Sequence, residues 1–260
     1  MEVVLFEVKN GTAYVRINRP AKKNALNLEV RKGLNRAWEQ VNSDPQICSA
    51  IITGGDETFS VGQDLEELSE FRKHEPVEEL PLNIEETFGA LVKKPLIAAI
   101  SGYCLGAGLL LVLNSDFRIA GKDVRFGLPE VKVAVPPILD FPLKIAQNLP
   151  RVYAMEMLLL GEFLEAETAY RLGFVNRVVE PDRVLASAEE FAVKINKLSP
   201  FMTRLFKEQY RIITSQPAQH IAFSETLTKL GRYCEDYREG PRAFKEKRKP
   251  VWRSEGAKQG

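Results

Sequence analysis

The chain has 260 residues, 45% of them apolar and 27% charged, which is the composition of a globular protein whose core needs no disulfide or metal staple. Lys and Arg number 36 against 35 Asp and Glu, for a net charge of +1, so the basic excess typical of a nucleic-acid binder is absent. Three cysteines without CxxC spacing, two histidines and an N-terminus without a signal-like apolar run argue against a zinc site, a disulfide scaffold and secretion, and predict a cytoplasmic protein.

The N-terminus carries the pattern of a β-hairpin. Val3–Val8 and Thr12–Ile17 alternate between the two faces of a strand, and Asn10-Gly11 separates them. Asn-Gly suits the two-residue turn of a hairpin because both residues tolerate positive φ.

Strands and helices alternate after this hairpin. Asn27 precedes one apolar helical stripe and is predicted to cap that helix. The stripe consists of Val30, Leu34, Ala37, Trp38 and Val41. The next predicted elements are the strands Cys48–Thr53, Leu96–Ile100 and Phe117–Ala120 and a helix from about Gly108. This order predicts an α/β fold of ββα units over residues 1–180, with the charged, irregular stretch Leu65–Phe88 as a mobile cover.

The stretch Pro95–Ser115 has no charged residue and is long enough to span a membrane. Gly102, Gly106 and Gly108 interrupt it, however, together with other turn residues. A buried strand, a glycine-rich turn and a buried helix therefore explain it better than a membrane span, and no membrane partner is expected.

The pattern becomes helical after Pro181. Helices are predicted at Arg183–Leu198, Pro200–Ile213 and Ala218–Glu239, and strand signals disappear. Residues 181–260 are therefore predicted to form a helical region for packing or assembly.

Two glycine turns are candidate anion sites. One is SGYCLGAG at the start of the helix near Gly108, and the other includes Gly62 in GGDETFSVGQDLEEL. Glycine lets backbone N–H groups approach a ligand, and two such turns can supply two donors to one oxyanion. Tight strand–helix packing and an ordinary loop are the alternative explanations.

Glu130 follows Pro129 and precedes an apolar stretch. A carboxylate among apolar neighbours has a raised pKa and can shuttle protons, whereas the commoner alternative is a surface Glu on a turn.

In their order and spacing, seven stretches resemble the crotonase (enoyl-CoA hydratase/isomerase) superfamily over nearly the whole chain. These stretches are NRPAKKNALN, AIITGGDETFSVGQDLEE, KPLIAAISGYCLGAG, SDFRIA, FGLPEVKVAVPP, AMEMLLLGEFLEAETAYRLGFVNRVV and EGPRAFKEKRKPVW.

The resemblance implies a crotonase-like spiral of ββα units followed by helices that build trimers, often paired into hexamers. It also implies an acyl-CoA substrate, with coenzyme A entering as part of the substrate and no separate cofactor. The family's two oxyanion-binding amides fall on Gln63 and Ala107, and its acid/base falls on Glu130. The family's contacts to coenzyme A fall around Lys22, Ala25, Leu26, Asp64, Leu65, Phe244 and Lys247.

One departure from the family pattern indicates which of the family's reactions to expect from this chain. Family hydratases use two glutamates, and the position of the one in the glycine turn holds Leu110 here. Family Δ3,Δ2-enoyl-CoA isomerases use only the glutamate that matches Glu130, which removes a proton from C2 and returns it at C4. Because Leu110 cannot transfer a proton, we expect an isomerase rather than a two-glutamate hydratase.

A second departure lies between Pro136 and Phe141, where bulky residues replace a glycine-rich turn common in the family. Asp140 is the nearest new acid, but the aspartate used by some family members matches Ile138. Two explanations stay open: Asp140 caps a helix that begins near Pro142, or it is a displaced second catalytic carboxylate.

Two alternatives to an isomerase follow. The chain could be a hydratase, lyase or decarboxylase in which Asp140 or another acid compensates for Leu110, or it could bind acyl-CoA without catalysis. No His or Asp near Cys104 in sequence implies its activation as a nucleophile, so we expect a small buried residue there. His74 is predicted to be solvated and His220 structural.

Overall fold

The computed structural model describes residues 2–71, 87–136, 141–214 and 236–251. The strands are β1 (Val4–Lys9), β2 (Thr12–Ile17), β3 (Ser49–Thr53), β4 (Leu96–Ile100), β5 (Tyr103–Leu105), β6 (Phe117–Gly121), β7 (Arg125–Gly127), β8 (Phe163–Glu165) and β9 (Arg177–Val179). The helices are α1 (Leu28–Ser43), α2 (Leu65–Phe71), α3 (Ala107–Leu113), α4 (Phe141–Asn148), α5 (Arg151–Met155), α6 (Ala166–Arg171), α7 (Val184–Ile195), α8 (Pro200–Thr214) and α9 (Asp236–Lys245).

Within these residues the strands form two sheets, of order β1-β2-β3-β4-β6-β9 and β5-β7-β8. In the larger sheet β1 and β2 are antiparallel, and the later pairs are parallel. Alternate residues of β4 enter two separate apolar clusters, since successive side chains of a strand point to opposite faces of the sheet. Ala98 joins the cluster that contains residues of α1, and Ile97 joins the cluster that contains residues of α7. Both faces of the parallel strands are thus buried, as a parallel sheet requires.

The predicted hairpin is confirmed. β1 and β2 pair in register from Val4 opposite Ile17 to Lys9 opposite Thr12. Asn10 and Gly11 both have positive φ, of 48° and 77°, which matches the right-handed twist of the strands that they join.

The predicted cap of α1 is confirmed as well. The Asn27 side-chain oxygen accepts a hydrogen bond from the Val30 N–H at 3.0 Å. The residues of the predicted stripe are all buried, and they pack α1 onto the sheet through its contacts with β1 and β2.

The apolar stretch from Pro95 to Ser115 folds as β4, β5 and α3, which is the strand–turn–helix alternative. Across the described ranges, no helix is long and apolar enough to cross a membrane. The stretch from Leu65 differs from its prediction, because Leu65–Phe71 is helical rather than irregular. Residues 72–86 of the predicted cover lie outside the described residues.

The C-terminal region is helical where it is described. The helix predicted at Arg183–Leu198 is α7, preceded by the 3-10 turn Pro181–Arg183, and the next predicted helix is α8. Of the helix predicted at Ala218–Glu239, only its last residues are described, at the start of α9. The division at residue 180 stays a prediction.

Candidate active site

The two glycine turns meet in the structure. Gly62 has a φ of +86°, and a Cβ added to it would lie 2.9 Å from the Leu105 carbonyl oxygen and 3.1 Å from the Ala107 nitrogen. Gly62 is therefore required both by its backbone conformation and by the close approach of the second turn. The approach brings Gln63 and Ala107, which are the two sequence-predicted oxyanion donors, onto neighbouring loops.

The Gly62–Gln63 peptide is held in one orientation by the segment at Leu26. The Leu26 N–H donates to the Gly62 carbonyl at 2.8 Å, and the Asp64 N–H donates to the Leu26 carbonyl at 3.4 Å. In a trans peptide the C=O and N–H groups point in opposite directions, so the Gln63 N–H points away from Leu26. Within the described part of the chain it has no hydrogen-bond acceptor.

The Gly106–Ala107 peptide is fixed in a similar way at the start of α3. The Gly106 carbonyl accepts from the Leu109 N–H at 2.8 Å, and the Gly106 N–H donates to the Gly127 carbonyl at 3.0 Å. Because Ala107 is the first residue of the helix, its N–H has no intrahelical acceptor. Gln63 and Ala107 thus supply two available amide donors from adjoining turns, the arrangement required for an oxyanion hole.

Glu130 lies beside these donors, on the 3-10 turn Pro129–Val133. A Cβ added to Gly106 would come within 2.5 Å of Glu130 Oε1. Glu130 Oε2 is buried and has no hydrogen-bond partner among the described residues. Burial raises the pKa of this carboxyl from 4.5 to about 7, although its own backbone amide opposes the shift. The alternative of a solvated surface Glu therefore does not describe this carboxyl.

Leu110 is buried in the main apolar cluster on α3, with 2% of its surface exposed. An aliphatic side chain at this position can neither donate a hydrogen bond to Glu130 Oε2 nor transfer a proton, and this oxygen has no hydrogen-bond partner within the described ranges. Asp140, Ile138 and Pro137 lie outside the described residues, as do His74 and His220, so the predictions for those positions stay predictions.

The predicted coenzyme A contacts near the N-terminus cluster around the first glycine turn. Ala25 and Leu26 are buried, and Leu65 begins α2 immediately after Asp64. The Lys22 ammonium lies 2.9 Å from the Glu66 carboxylate on the exposed side of this region. These residues therefore form one neighbourhood next to Gln63.

The carboxylate of Asp64 already has partners within the protein. It lies 2.6 Å from Arg19 Nη1 and accepts from the Glu66 and Glu67 N–H groups at 3.0 and 3.2 Å. Burial alone would raise the pKa of Asp64, but these hydrogen bonds outweigh it and hold the pKa below its usual value. Asp64 therefore caps α2 and pairs with Arg19, and the sequence prediction missed this ion pair because Arg19 is 45 residues away.

The two predicted contacts near the C-terminus, Phe244 and Lys247, lie at the end of α9. Both are exposed. α9 packs against α2 and the turn that carries Glu130, and a Cβ added to Gly240 would lie 1.9 Å from the Val133 carbonyl oxygen. The C-terminal helix therefore covers the same side of the chain as Leu65 and Glu130.

Cys104 is completely buried, and burial raises the pKa of its thiol well above the usual value. This agrees with the predicted packing role rather than with a nucleophile. Among the residues that the structure describes, no group of three His, Cys, Asp or Glu side chains is placed to hold a metal ion.

The chain is similar to known proteins over nearly its whole length. Residues 7–255 match the family model described as enoyl-CoA hydratase/isomerase. The (E)-benzylidenesuccinyl-CoA hydratase of Thauera aromatica is 37% identical over 96% of this chain and 98% of its own length. The carnitinyl-CoA dehydratase of Salmonella typhi is 34% identical over 97% and 99%. The crystal structure of carnitinyl-CoA hydratase from Mycobacterium avium superposes with a TM-score of 0.86 at 30% identity, over 98% of this chain and 99% of that one.

The chain therefore belongs to the enoyl-CoA hydratase/isomerase family and has the crotonase fold, as its sequence predicts. It is an acyl-CoA enzyme of that family. The relatives above are named hydratases or dehydratases, so the preference for isomerisation stays a prediction.

Proposed function

We propose that this member of the enoyl-CoA hydratase/isomerase family moves a proton next to an acyl-CoA thioester, most directly by isomerising a 3-enoyl-CoA to a 2-enoyl-CoA. The observation that carries the proposal is the buried Glu130 carboxyl, with a pKa of about 7, beside the available amides of Gln63 and Ala107. Near neutral pH such a group both accepts and donates a proton with little driving force lost in either direction.

The proposed reaction uses three groups. The thioester oxygen accepts hydrogen bonds from the Gln63 and Ala107 N–H groups, which stabilise negative charge as it develops on that oxygen. The Glu130 carboxylate removes a proton from C2, and the C2–H electrons delocalise into the thioester and the C3–C4 double bond. The same proton then adds at C4, a double bond forms between C2 and C3, and Glu130 is regenerated.

Leu110 supports isomerisation over hydration. Adding water needs one group to activate the water and another to protonate carbon, and one missing proton-transfer group typically costs about 10²–10⁴-fold in rate. Isomerisation needs only one group, because the proton that leaves C2 is the proton that C4 receives.

Hydration or dehydration is the second candidate. It is favoured by the names of relatives that are 34 to 37% identical over nearly the whole chain. In that case Glu130 would activate or release the water, and a further acid such as Asp140 would replace the missing glutamate.

An NMR assay in D₂O distinguishes these functions. Purified protein is offered 3-enoyl-CoA and 2-enoyl-CoA substrates of several chain lengths, beside Glu130→Gln and a matched control, Glu167→Gln, at an exposed position on α6. We expect the double bond to shift without water addition, about 10²–10⁴-fold more slowly in Glu130→Gln and unchanged in Glu167→Gln.

The other outcomes identify the alternatives. Formation of 3-hydroxyacyl-CoA would establish hydration and make Asp140→Asn the next variant. Tight binding with no turnover would favour the non-catalytic acyl-CoA-binding function. Full activity in Glu130→Gln would remove Glu130 from the mechanism under any of these functions.

We further propose that coenzyme A enters as part of the substrate, without a separate cofactor, and that the chain assembles as a homotrimer or a pair of trimers. Support for assembly comes from one face of α8, on which Met202, Phe206 and Tyr210 recur every four residues and are 48, 67 and 72% exposed. Adjacent exposed apolar side chains of this kind are typical of a protein–protein interface.

A further inference from the structure

Ser60 is a buried side chain that contacts both glycine turns. It is 0% exposed. Its hydroxyl donates to the Asn24 carbonyl at 2.8 Å and accepts from the Gly62 N–H at 3.1 Å. The second bond closes a short serine turn that ends at the residue before Gln63.

The opposite side of Ser60 packs against the second turn. A Cβ added to Gly108 would lie 2.7 Å from Ser60 Cβ, so the start of α3 rests directly on this side chain. The Ser60 backbone also pairs with β5, since its N–H donates to the Tyr103 carbonyl and its carbonyl accepts from the Leu105 N–H. Ser60 thus lies between the loop of Gln63 and the helix start that carries Ala107.

Asn24 fixes the acceptor of the Ser60 hydroxyl. Asn24 is 2% exposed, and its side-chain NH₂ donates to the Gly54 and Thr58 carbonyls at 2.7 Å each. Its side-chain oxygen accepts from the Arg19 N–H at 2.9 Å. These three side-chain hydrogen bonds fix the position of Asn24 and therefore of its backbone carbonyl. The Ser60 hydroxyl links this carbonyl to the Gly62 N–H.

We infer that Ser60 is a positioning residue that sets the separation and direction of the two amide N–H groups of the proposed oxyanion hole. The inference rests on the proposed function. Without the hydroxyl, the buried Gly62 N–H and Asn24 carbonyl would lose their shared partner, and unpaired buried groups drive local rearrangement. The Gly62–Gln63 peptide is the next unit along the chain, so its N–H is the group that such a rearrangement moves.

The inferred role predicts that removing the Ser60 hydroxyl weakens stabilisation of the transition state rather than the binding of coenzyme A. Removing one oxyanion donor costs about 10²–10³-fold in kcat, and a misdirected donor should cost less. For Ser60→Ala we expect kcat to fall about 10- to 100-fold, with KM changed by less than about threefold.

A spectroscopic probe tests the amides without turnover. Acetoacetyl-CoA ionises to an enolate that absorbs in the near ultraviolet, and the two N–H groups should favour this form. We expect wild-type protein to bind it as the enolate, and Ser60→Ala to show a higher apparent pKa for the bound ligand and weaker enolate absorbance at saturation.

Ser115→Ala is the matched control. Ser115 follows the last residue of α3, at the end of the helix that is away from Gly62. It is also buried, and its hydroxyl donates to the Leu111 carbonyl at 2.8 Å. This change also removes a buried serine hydrogen bond, so the melting temperatures of both variants should fall, but enolate absorbance and kcat should change only in Ser60→Ala.

The outcomes separate this inference from the proposed function. If wild-type protein neither ionises acetoacetyl-CoA nor turns over an enoyl-CoA, the proposed function fails. If wild-type protein does both and Ser60→Ala retains its enolate absorbance and kcat, or changes only as Ser115→Ala does, the role of Ser60 is refuted. Should Ser60→Ala not fold, Gly108→Ala decides: it keeps the hydroxyl but forces the turns apart, and unchanged enolate absorbance would refute the same inference.

Discussion

Protonation of Glu130 should control both the stability and the rate of this enzyme. Burial raises the pKa of its carboxyl from 4.5 to about 7. Each pKa unit corresponds to about 1.4 kcal/mol, so the charged form is penalised by about 3 kcal/mol in the folded state relative to the unfolded chain. Glu130→Gln keeps the size of the side chain and removes the charge.

The sign of the stability effect follows from proton binding. Below about pH 4.5 the carboxyl is protonated in both states and the penalty is absent. Between about 4.5 and about 7 the folded state holds a proton that the unfolded state has lost, so stability falls as pH rises. Above about 7 the penalty is complete, and Glu130→Gln should have gained about 3 kcal/mol relative to wild type between about pH 4 and about pH 8.

Urea denaturation across this range measures the stability effect, with the exposed Glu167→Gln expected to follow wild type. The kinetic counterpart is kcat/KM, which should rise with pH and level off above about 7 because the base must be ionised. A pH-independent stability difference between wild type and Glu130→Gln, together with a kinetic pKa near 4.5, would refute the argument from burial.

Three further changes test other parts of the structure. Gly106→Ala would bring a Cβ within 2.5 Å of Glu130 Oε1 at a φ of +51° and should lower kcat about 10²-fold, so wild-type kcat would contradict the steric argument. Asn27→Ala removes the α1 cap and should lower the free energy of unfolding by about 1 kcal/mol, which an unchanged urea midpoint would disprove. Phe206→Asp charges the apolar face of α8 and should yield monomers in analytical ultracentrifugation, whereas an unchanged mass would place that face outside the interface.

Much of the fold could be predicted from the sequence because its signals are local. The Asn10-Gly11 turn needs only two residues with positive φ between alternating strands, and Asn27 bonds to an N–H three residues away. The glycine turns of the site are also visible in the sequence, and the structure shows that a Cβ at Gly62 would not fit. Which groups these turns approach is implied only by the resemblance to the family.

The remaining features depend on contacts between distant parts of the chain. Asp64 is paired with Arg19, 45 residues earlier, and Ser60 with the Asn24 carbonyl, 36 residues earlier. Both Ser60 and Asn24 lie within stretches that match the family, yet no local pattern indicates their bond. The burial of Glu130 Oε2 likewise arises only in the folded chain, because the neighbouring Gly106 precedes Glu130 by 24 residues in the sequence.

The charge of the site gives a reason for one carboxylate rather than two. In the proposed reaction the negative charge is on Glu130 before proton transfer and on the enolate oxygen beside Gln63 and Ala107 afterwards, so the total stays at −1. A second ionised carboxylate at Leu110 would have to be desolvated in the same buried volume and would repel the enolate. A hydratase accepts this cost because it needs a second group to supply a proton. With Leu110 in that place, the site avoids the cost, and this is the physical reason for which we propose transfer of one proton between two carbons of the same substrate.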